Sequence, residues 1–371
     1  MFPKIGIIYL TYPTPNWERD IDRCLRSMEK INYPKDRLEL ICVESKGKLP
    51  PVKPWFDAHW MIKSEKELPR ISYIFNDVWI GFAGNNNLGV EKAKELGCGY
   101  VHLTNEDTDV DPDYLLRAVE RAESDPKIAY VQSLILLGED RDHVNTVGNA
   151  FHYLGFGYSN GYQWSKTQAL AFFDRERRHN PDLEIGYGSG AGTLCRLSAL
   201  DAAGLFDEKL FMYHEDTDAS LRARLRGWKT VVEPRSILWH YYEFAKSKIN
   251  YYWMERNRYV LILSYYRLWT LIVLAPIILL MDAGVLLFSL RGGWFDMKRK
   301  VYREWFTLDF WKWIRRRRRN IQSIRTISDR DFLRFAVSAI SFQEDTVKNP
   351  VLTYLGNPLL RAYWWVARKV I

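Results

Sequence analysis

The sequence predicts an α/β fold built on a mostly parallel sheet, followed by a helical C-terminal segment. Two observations predict the sheet: short apolar runs recur between Lys4 and Leu137, and segments with helical periodicity separate them. Strands that alternate with helices form βαβ units, which place helices on both faces of a parallel sheet. A third observation, a change near Tyr251 to long apolar and basic-aromatic stretches, predicts the helical segment.

The composition is that of a folded, intracellular protein. Of the 371 residues, 47% are hydrophobic and 26% are charged, which argues against disorder. The four cysteines are scattered without paired spacing, so we expect a reduced cytosolic context with no disulfide framework and no zinc site. The apolar stretch at the N-terminus is only about six residues long, which predicts a first strand rather than a signal peptide.

The individual elements follow from the same patterns. The predicted strands are 5–12, 38–43, 70–75, 99–104, 128–137 and 229–234. The predicted helices of this region are 16–28, 85–96, 111–123 and 216–226, and residues 138–185 are expected to form long loops near the site. Ligands bind beyond the carboxyl ends of parallel strands. Two acidic features lie at such ends: Glu44, and the segment LTNEDTDVDP at 103–112.

The segment 103–112 gathers carboxylates in a chain of net charge +8. Asp111 and Asp113 suit the first turn of a helix. A calcium loop is excluded, because Pro112 stands where glycine is required and Ala118 stands where the bidentate glutamate is required.

A third use of such carboxylates is to hold a divalent cation shared with a substrate phosphate. Mg²⁺ binds through one or two carboxylates and leaves room for phosphate oxygens. We expect this role for Asp107, together with Asn105 or Asp109.

The tetrapeptide EDTD recurs at Glu215–Asp218, after the apolar segment LFMY. It could cap the helix that follows. It could also supply a general base, because carboxylates beside apolar residues are partly desolvated, and desolvation raises the pKa of a carboxylate. His240, at the end of a later strand, is either a neutral metal ligand or a core histidine.

Residues 268–290 are mostly apolar and long enough to span a bilayer. Asp282 interrupts the segment, and both flanks are basic, with eleven lysines and arginines between Arg291 and Arg319. A single span would place one basic flank outside, against the positive-inside rule. A buried core helix, a one-leaflet or interfacial helix and a true span all remain open. The basic helix with tryptophans that follows favours membrane-surface association.

Several motifs, taken together and in this order, are typical of one enzyme family. They are TYPTP, GFAGNNNLG, LTNEDTD, GSGAGTL, MYHEDTDASLRAR and the later pair Trp239-His240. With them, residues 4–265 resemble the inverting family-2 glycosyltransferases of the GT-A fold, especially the rhamnosyltransferase-like branch. The resemblance implies a Rossmann-like sheet flanked by helices.

The resemblance also assigns site residues. It implies a metal site at Asp107, Asp109 and His240 that holds Mg²⁺ or Mn²⁺, and a general base at Asp216 beside Glu215. Glu44-Ser45 stands where the family usually has Asp-Asn, and Asn105 replaces the first Asp of the metal motif. The residues implied to contact the nucleotide sugar are Thr11, Tyr12, Glu44, Gly81, Asn86, Asn87, Asn105, Glu106 and Arg222.

The expected activity is inverting transfer of a sugar from a nucleoside-diphosphate sugar, such as dTDP-rhamnose or a UDP-sugar. The basic-aromatic tail suggests a lipid-linked saccharide acceptor at the cytoplasmic face of the membrane. We expect a catalytic domain at 1–265, a membrane-associating region at 266–371 and no nucleic-acid partner. Two other classes stay open: a metal-dependent nucleotidyltransferase or phosphohydrolase, and a basic nucleic-acid-binding protein around Arg315–Arg319.

Overall fold

The computed structural model describes residues 2–241, 247–341 and 350–371, and the chain forms two compact units. The first unit comprises Met1–Asn149, Ser159–Ala223 and Trp228–Glu243, and the second comprises Ala150–Tyr158, Arg224–Gly227 and Phe244–Ile371. The domain limits 1–265 and 266–371 stay a prediction. In the structure, the helix 249–265 groups with the second unit, because it packs against the helices 295–305 and 308–323.

The described part of the chain forms eleven strands, nine of them in one sheet. The strands are β1 Ile5–Thr11, β2 Leu38–Ser45, β3 Arg70–Asn76, β4 Tyr100–Asn105, β5 Thr108–Val110, β6 Ile128–Leu137, β7 Val144–Thr146, β8 Asn149–Phe151, β9 Gly157–Ser159, β10 Gly192–Arg196 and β11 Lys229–His240.

The α-helices fall into two groups along the chain. The earlier helices are α1 Trp17–Met28, α2 Lys53–His59, α3 Gly81–Glu95, α4 Tyr114–Glu123, α5 Lys166–Glu176, α6 Leu197–Ala203 and α7 Glu215–Leu225. The later helices are α8 Ile249–Tyr265, α9 Leu268–Arg291, α10 Phe295–Trp305, α11 Leu308–Ser323, α12 Asp329–Phe332 and α13 Asn357–Val370.

The main sheet has the strand order β3-β2-β1-β4-β10-β6-β11-β5, with β7 paired to β6. The first four strands in this order are parallel. β10 is antiparallel to both β4 and β6, β11 is parallel to β6, and β5 is antiparallel to β11. The predicted mostly parallel α/β sheet is therefore confirmed, with antiparallel strands inserted near its acidic edge.

Side chains alternate across the sheet and enter two separate cores. Ile7 and its odd-numbered neighbours pack with α1 and α4 on one face. Ile8 packs on the other face with residues of α3, α6 and α7. Both faces are therefore covered by helices, as a parallel sheet of apolar strands requires.

Two predictions about local structure were wrong. The helix expected from Asn85 begins at Gly81, because the segment GFAG continues the helix instead of forming a loop. Residues 138–185 were expected to be loops, but they contain β7, β8, β9 and α5. α5 begins with a capping box, in which Ser165 and Gln168 each bond the other's backbone.

The second unit is organised around a buried charge network on α8, α9 and α10. Lys298 is fully buried, and its Nζ lies 2.6 Å from both Glu255 Oε2 and Asp282 Oδ1. The Arg258 guanidinium pairs with Glu255 at 2.8 Å. Burial would raise the pKa of Glu255, but the charges of Arg258 and Lys298 outweigh it and lower that pKa.

We expect Lys298→Met to destabilise the second unit by about 3–5 kcal/mol, because it leaves the buried Glu255 and the partly buried Asp282 without their shared cation. The measurement is denaturant unfolding of the full chain. Lys312→Met is the matched control. Lys312 is 76% exposed and pairs only with exposed Asp309 among the ion pairs of the described residues, so we expect a change below about 0.5 kcal/mol. Equal stability of the two variants would contradict the role of the network.

Candidate active site

The acidic segment after β4 is held against the end of β11. β5 pairs with β11 so that Thr108 lies opposite His240. The Asp107 carbonyl accepts a hydrogen bond from the Tyr241 N–H at 2.8 Å, and Asp107 Oδ1 lies 3.2 Å from His240 Nε2. Two of the side chains assigned to a metal from the sequence are therefore neighbours.

The Asp107 carboxylate is suited to a cation. Its Oδ1 is buried and, apart from the 3.2 Å approach of His240 Nε2, has no hydrogen-bond donor among the described residues. Burial would raise the pKa of Asp107, but the neighbouring His240 outweighs that effect and lowers it, so the group is charged. The described residues contain no group of three or more His, Cys, Asp or Glu side chains that could hold a metal alone. Two protein ligands leave room for the phosphate oxygens that usually complete a Mg²⁺ site.

The side chain of Asp109, the third predicted metal ligand, forms ion pairs and a hydrogen bond with other side chains of the protein. It is buried, and its carboxylate lies 3.3 Å from Arg23 Nε and 3.0 Å from Arg141 Nη1. The Tyr241 hydroxyl donates a further hydrogen bond at 3.1 Å. Two guanidinium groups therefore balance the charge of Asp109, whereas Asp107 faces one imidazole.

The ends of β1 and β4 are joined through Glu106. Its Oε2 accepts a hydrogen bond from the Tyr12 N–H at 3.0 Å, one residue beyond Thr11, the last residue of β1. Burial raises the pKa of Glu106 well above its usual value. The Asn105 carbonyl accepts a hydrogen bond from Thr108 Oγ1 at 2.8 Å, which closes the turn between β4 and β5. Four of the predicted nucleotide-sugar residues thus lie together at this edge.

Glu44 is fully buried and bonds to the protein. Its Oε1 accepts a hydrogen bond from the Val52 N–H at 2.7 Å, and its Oε2 accepts bonds from Lys53 N and the Tyr73 hydroxyl. The carboxylate therefore satisfies the first backbone donors of α2, where a negative charge also complements the helix dipole. Its contact with a nucleotide stays a prediction.

The glycine-asparagine segment forms the first turns of α3. Gly81 has φ +75°, and a Cβ at this position would lie 2.3 Å from the Phe211 carbonyl oxygen, so only glycine fits. Asn86 is fully buried and donates to the Phe82 carbonyl one turn earlier. Asn86 and Asn87 lie inside α3, beyond its first turn, and their contact with the nucleotide sugar stays a prediction.

Asn87 ties α3 to the loop that precedes α7. Its Nδ2 donates to the Phe206 carbonyl at 2.9 Å, and its Oδ1 accepts from the Phe206 N–H at 3.0 Å. Nδ2 also contacts Glu208 Oε1 at 3.1 Å. On the other side of the loop, Arg222 donates to the carbonyls of Ala203 and Leu205 at 2.8 and 2.6 Å. Both predicted nucleotide-binding side chains therefore fix this loop.

The same loop is strained immediately before the second acidic motif. Phe211 has φ 67° and ψ −65°, and the Met212 N–H donates to the Leu210 carbonyl at 2.8 Å. This is a γ-turn of the rare, strained form. Tyr213 and His214 also have positive φ, at 63° and 68°. Such residues cost about 1–3 kcal/mol each and cluster at functional sites.

The strained loop delivers one buried carboxylate, Glu215, and one partly buried carboxylate, Asp216. Asp216 accepts hydrogen bonds from the Gly190 N–H at 3.2 Å and from the Thr217 N–H at 2.6 Å. Burial outweighs these bonds and raises the pKa of Asp216 to about 6. Burial and the charge of Asp216 raise the pKa of Glu215 well above its usual value. Glu215 Oε2 is buried without a hydrogen-bond partner among the described residues.

Strand pairing relates the two acidic motifs. Gly190, which bonds Asp216, lies two residues before Gly192, the first residue of β10. Gly192 pairs with Thr104 near the end of β4, three residues before Asp107. Both motifs therefore lie beside the same edge of the sheet: Asp107 follows β4, and Asp216, at the start of α7, is bonded by the segment that leads into β10.

Aromatic side chains that the sequence reasoning left out lie at this edge. Trp79 is 51% exposed. Its ring centroid lies 6.0 Å from that of Tyr12 and 5.0 Å from that of Phe211. The signal available in the sequence was a tryptophan in the short connection 77–80, just before a helix.

The sequence is similar to those of known glycosyltransferases. A family model described as "Glycosyltransferase like family 2" matches residues 8–260. N-acetylglucosaminyl-diphospho-decaprenol L-rhamnosyltransferase of Mycobacterium tuberculosis (strain CDC 1551 / Oshkosh) is 33% identical over 78 residues, which cover 21% of this chain and 25% of that protein. Probable glucomannan 4-beta-mannosyltransferase 9 of Oryza sativa subsp. japonica is 25% identical over 206 residues, 54% of this chain and 35% of that protein. The matches thus span a quarter to about a third of these relatives' length.

Solved structures show the same fold. GalNAc-T7 with UDP, GalNAc and Mn²⁺ is similar at a TM-score of 0.55 and 14% identity, over 72% of this chain and 48% of that chain. The mannosyltransferase PcManGT from Pyrobaculum calidifontis, in complex with GDP-Man and Mn²⁺, is similar at a TM-score of 0.53 and 13% identity, over 87% of this chain and 86% of that chain.

These findings confirm the predicted GT-A fold and an enzyme of the transferase class. They disfavour both the nucleotidyltransferase or phosphohydrolase and the nucleic-acid-binding protein. The chain belongs to glycosyltransferase family 2.

Proposed function

We propose that this enzyme transfers a sugar, with inversion, from a nucleoside-diphosphate sugar to a hydroxyl group of a lipid-linked saccharide. The observation that carries the proposal is the placement of Asp107 with His240 and of Asp216 at one edge of the sheet. The Asp107 carboxylate is charged and suited to binding a cation. The Asp216 carboxylate is desolvated and suited to accepting a proton.

Asp107 and His240 would hold Mg²⁺ or Mn²⁺ at the donor. The two solved relatives named above are complexes with Mn²⁺. When bound, the cation would neutralise the charge that develops on the departing diphosphate. Arg23 and Arg141, which already balance Asp109, keep that carboxylate from adding a free negative charge beside the diphosphate.

Asp216 would act as the general base. It takes the proton from the acceptor hydroxyl while that oxygen forms the new bond to the anomeric carbon and the bond to the diphosphate oxygen breaks. The nucleoside diphosphate leaves with the electron pair of that bond. Attack on the face opposite the leaving group inverts the anomeric carbon, as it does at the base-activated centre of inverting glycosidases. Burial and the neighbouring Asp216 raise the pKa of Glu215, which favours its neutral form beside the base.

The name of the relative from Mycobacterium tuberculosis specifies transfer of L-rhamnose to a diphospho-decaprenol acceptor. We take a polyprenyl-diphosphate saccharide as the acceptor class for this chain as well, with dTDP-rhamnose or a UDP-sugar as donor. Incubation with donor and metal tests the reaction class. Free nucleoside diphosphate with transferred sugar supports the proposal, whereas release of sugar phosphate would contradict it.

We expect Asp216→Asn to lower kcat by about 10²–10⁴-fold, because an amide cannot accept the proton, and to leave donor affinity nearly unchanged. In the unchanged enzyme, kcat/KM should rise with pH and level off above about pH 6, because the raised pKa of Asp216 must be passed before the base is free. The measurement is transfer rate against pH. Asp201→Asn, on an exposed carboxylate, is the control. Normal transfer by Asp216→Asn would refute the assignment of the base.

Asp107→Ala should weaken metal-dependent donor binding by at least about tenfold, because the cation loses its charged ligand. Titration calorimetry with nucleoside diphosphate, with and without Mn²⁺, measures this change. The exposed Asp174 supplies the control, Asp174→Asn. If Asp107→Ala bound the Mn²⁺ complex as tightly as the unchanged enzyme, Asp107 would not be the ligand.

Asn87→Ala should lower kcat by about tenfold to a hundredfold with little change in donor KM, because the loop before Asp216 loses its anchor and the base is misplaced. Asn180→Ala is a matched control: Asn180 makes the same pair of backbone bonds to Glu184, at 2.9 Å each, elsewhere in the first unit. A rise in donor KM with unchanged kcat would instead support the nucleotide contact predicted for Asn87.

A further inference from the structure

α9 has one exposed face that is entirely apolar. It is the one helix of the described residues long and apolar enough to cross a membrane, with a mean hydropathy of 2.6, yet only 11% of that stretch is buried. The side chains that are more than half exposed include Leu268, Ile272, Leu279, Leu280, Leu287 and Leu290. The sequence between Leu268 and Leu290 contains a single charged residue, Asp282.

The opposite face of α9 holds the polar groups. Thr270 and Ser289 are buried. The Asp282 carboxylate accepts hydrogen bonds from Lys298 Nζ at 2.6 Å and from the Tyr302 hydroxyl at 2.7 Å, and a short one from the Tyr259 hydroxyl. The polar side chains between Leu268 and Leu290 thus face the protein, together with the buried Leu274 and Ile277, and the exposed side chains of this stretch are apolar. A helix on the surface of a water-soluble protein exposes its polar face instead.

α9 is held by the second unit along its whole length. Near its start, Trp269 Nε1 donates to the Val370 carbonyl at 2.9 Å, and the Tyr363 hydroxyl donates to the Val273 carbonyl. Near its end, the rings of Phe288 and Trp294 pack edge to face at 5.9 Å. The supporting helices α10 and α11 carry exposed cations such as Arg299 and Arg315. Helices of this kind do not enter the hydrocarbon core, so α9 cannot cross a bilayer without leaving its packing.

Aromatic and cationic groups border the apolar face. α13 reaches the start of α9 through Val370 and exposes Trp365 and Val366. Lys369 Nζ lies 3.2 Å above the Trp365 ring. Arg267 and Arg291, at the two ends of α9, are exposed. Tryptophan and cations beside an apolar helix face match the interface of a membrane that contains anionic lipid.

We propose that α9 lies parallel to the plane of an anionic membrane, with its exposed face in one leaflet, and does not span the bilayer. The helix is about 36 Å long at 1.5 Å per residue. Lying flat, it keeps Arg267 and Arg291 in the head groups of the same leaflet, whereas a span would carry one of them across. This inference deepens the proposed function. It depends on that function only in one respect, the lipid-linked nature of the acceptor.

Labels on full-length protein bound to vesicles of phosphatidylcholine and phosphatidylglycerol test the orientation. Single cysteines at Ile272→Cys, Leu279→Cys and Leu287→Cys, each with an environment-sensitive fluorophore, should report one similar, shallow depth. Arg267→Cys and Arg291→Cys should both react with a membrane-impermeant maleimide added outside. A deep signal only at position 279, or protection of one end from the maleimide, would overturn the proposal.

Matched leucine substitutions test whether the exposed face of α9 binds the membrane. The double variant Leu279→Lys with Leu287→Lys should lower the fraction of protein that floats with anionic vesicles by at least about tenfold. Leu170→Lys, on a leucine of α5 that is 47% exposed, should float like the unchanged protein. Equal flotation of both variants would overturn the proposal, as would binding to an oligonucleotide without binding to vesicles.

Donor turnover separates this inference from the proposed function. Release of nucleoside diphosphate in the absence of vesicles should be the same in the double variant and in the unchanged protein, since the substitutions lie on the exposed face of α9. Retained turnover with lost flotation supports both proposals. Absent turnover in the unchanged protein, with normal flotation, would count against the proposed function alone.

Discussion

The pairing of β5 with β11 is the constraint on which the active site depends. Without it, Asp107 would lie in a free loop after β4, and His240 would end a strand with no acidic neighbour. Three residue pairs of the antiparallel ladder place the Asp107 carboxylate 3.2 Å from the His240 imidazole. The backbone carbonyl of Asp107 is itself hydrogen-bonded to the Tyr241 N–H. Rigid strand ends hold a site more accurately than loops do, and this geometry is available before any substrate binds.

Asp216, the proposed base, is held in a different way. The loop before α7 combines a strained γ-turn with anchors from two helices, Asn87 on α3 and Arg222 on α7. Strain of this kind persists only where the surroundings over-determine the conformation. α3 begins at Gly81, directly against Phe211, and also carries the anchor Asn87. The position of the proposed base is thus tied to the helix that carries the asparagines predicted to contact the donor.

Much of the architecture could be read from the sequence because periodicity reports burial directly. The alternating strands and helices and the apolar α9 follow from local pattern and order, whereas the grouping of Asp107 with His240 was implied by the resemblance to the family. The side chains of Glu44 and Asn87 could not be understood in this way. A buried carboxylate that caps α2 and a buried amide that brackets Phe206 look, in sequence, like any polar residue at a strand end or in a glycine-rich segment. Ser165 and Gln168 have the spacing of a capping box and could have predicted the start of α5. The polar composition of residues 138–185 favoured the interpretation as loops instead.

Anomalous scattering from Mn²⁺ in crystals of the complex with a nucleoside diphosphate would test the central claim most directly. The account predicts one strong peak in contact with Asp107 and His240, with the diphosphate on the side of the sheet edge that also carries Asp216. A peak at Asp109, or a nucleotide bound away from the edge shared by β4 and β10, would contradict it.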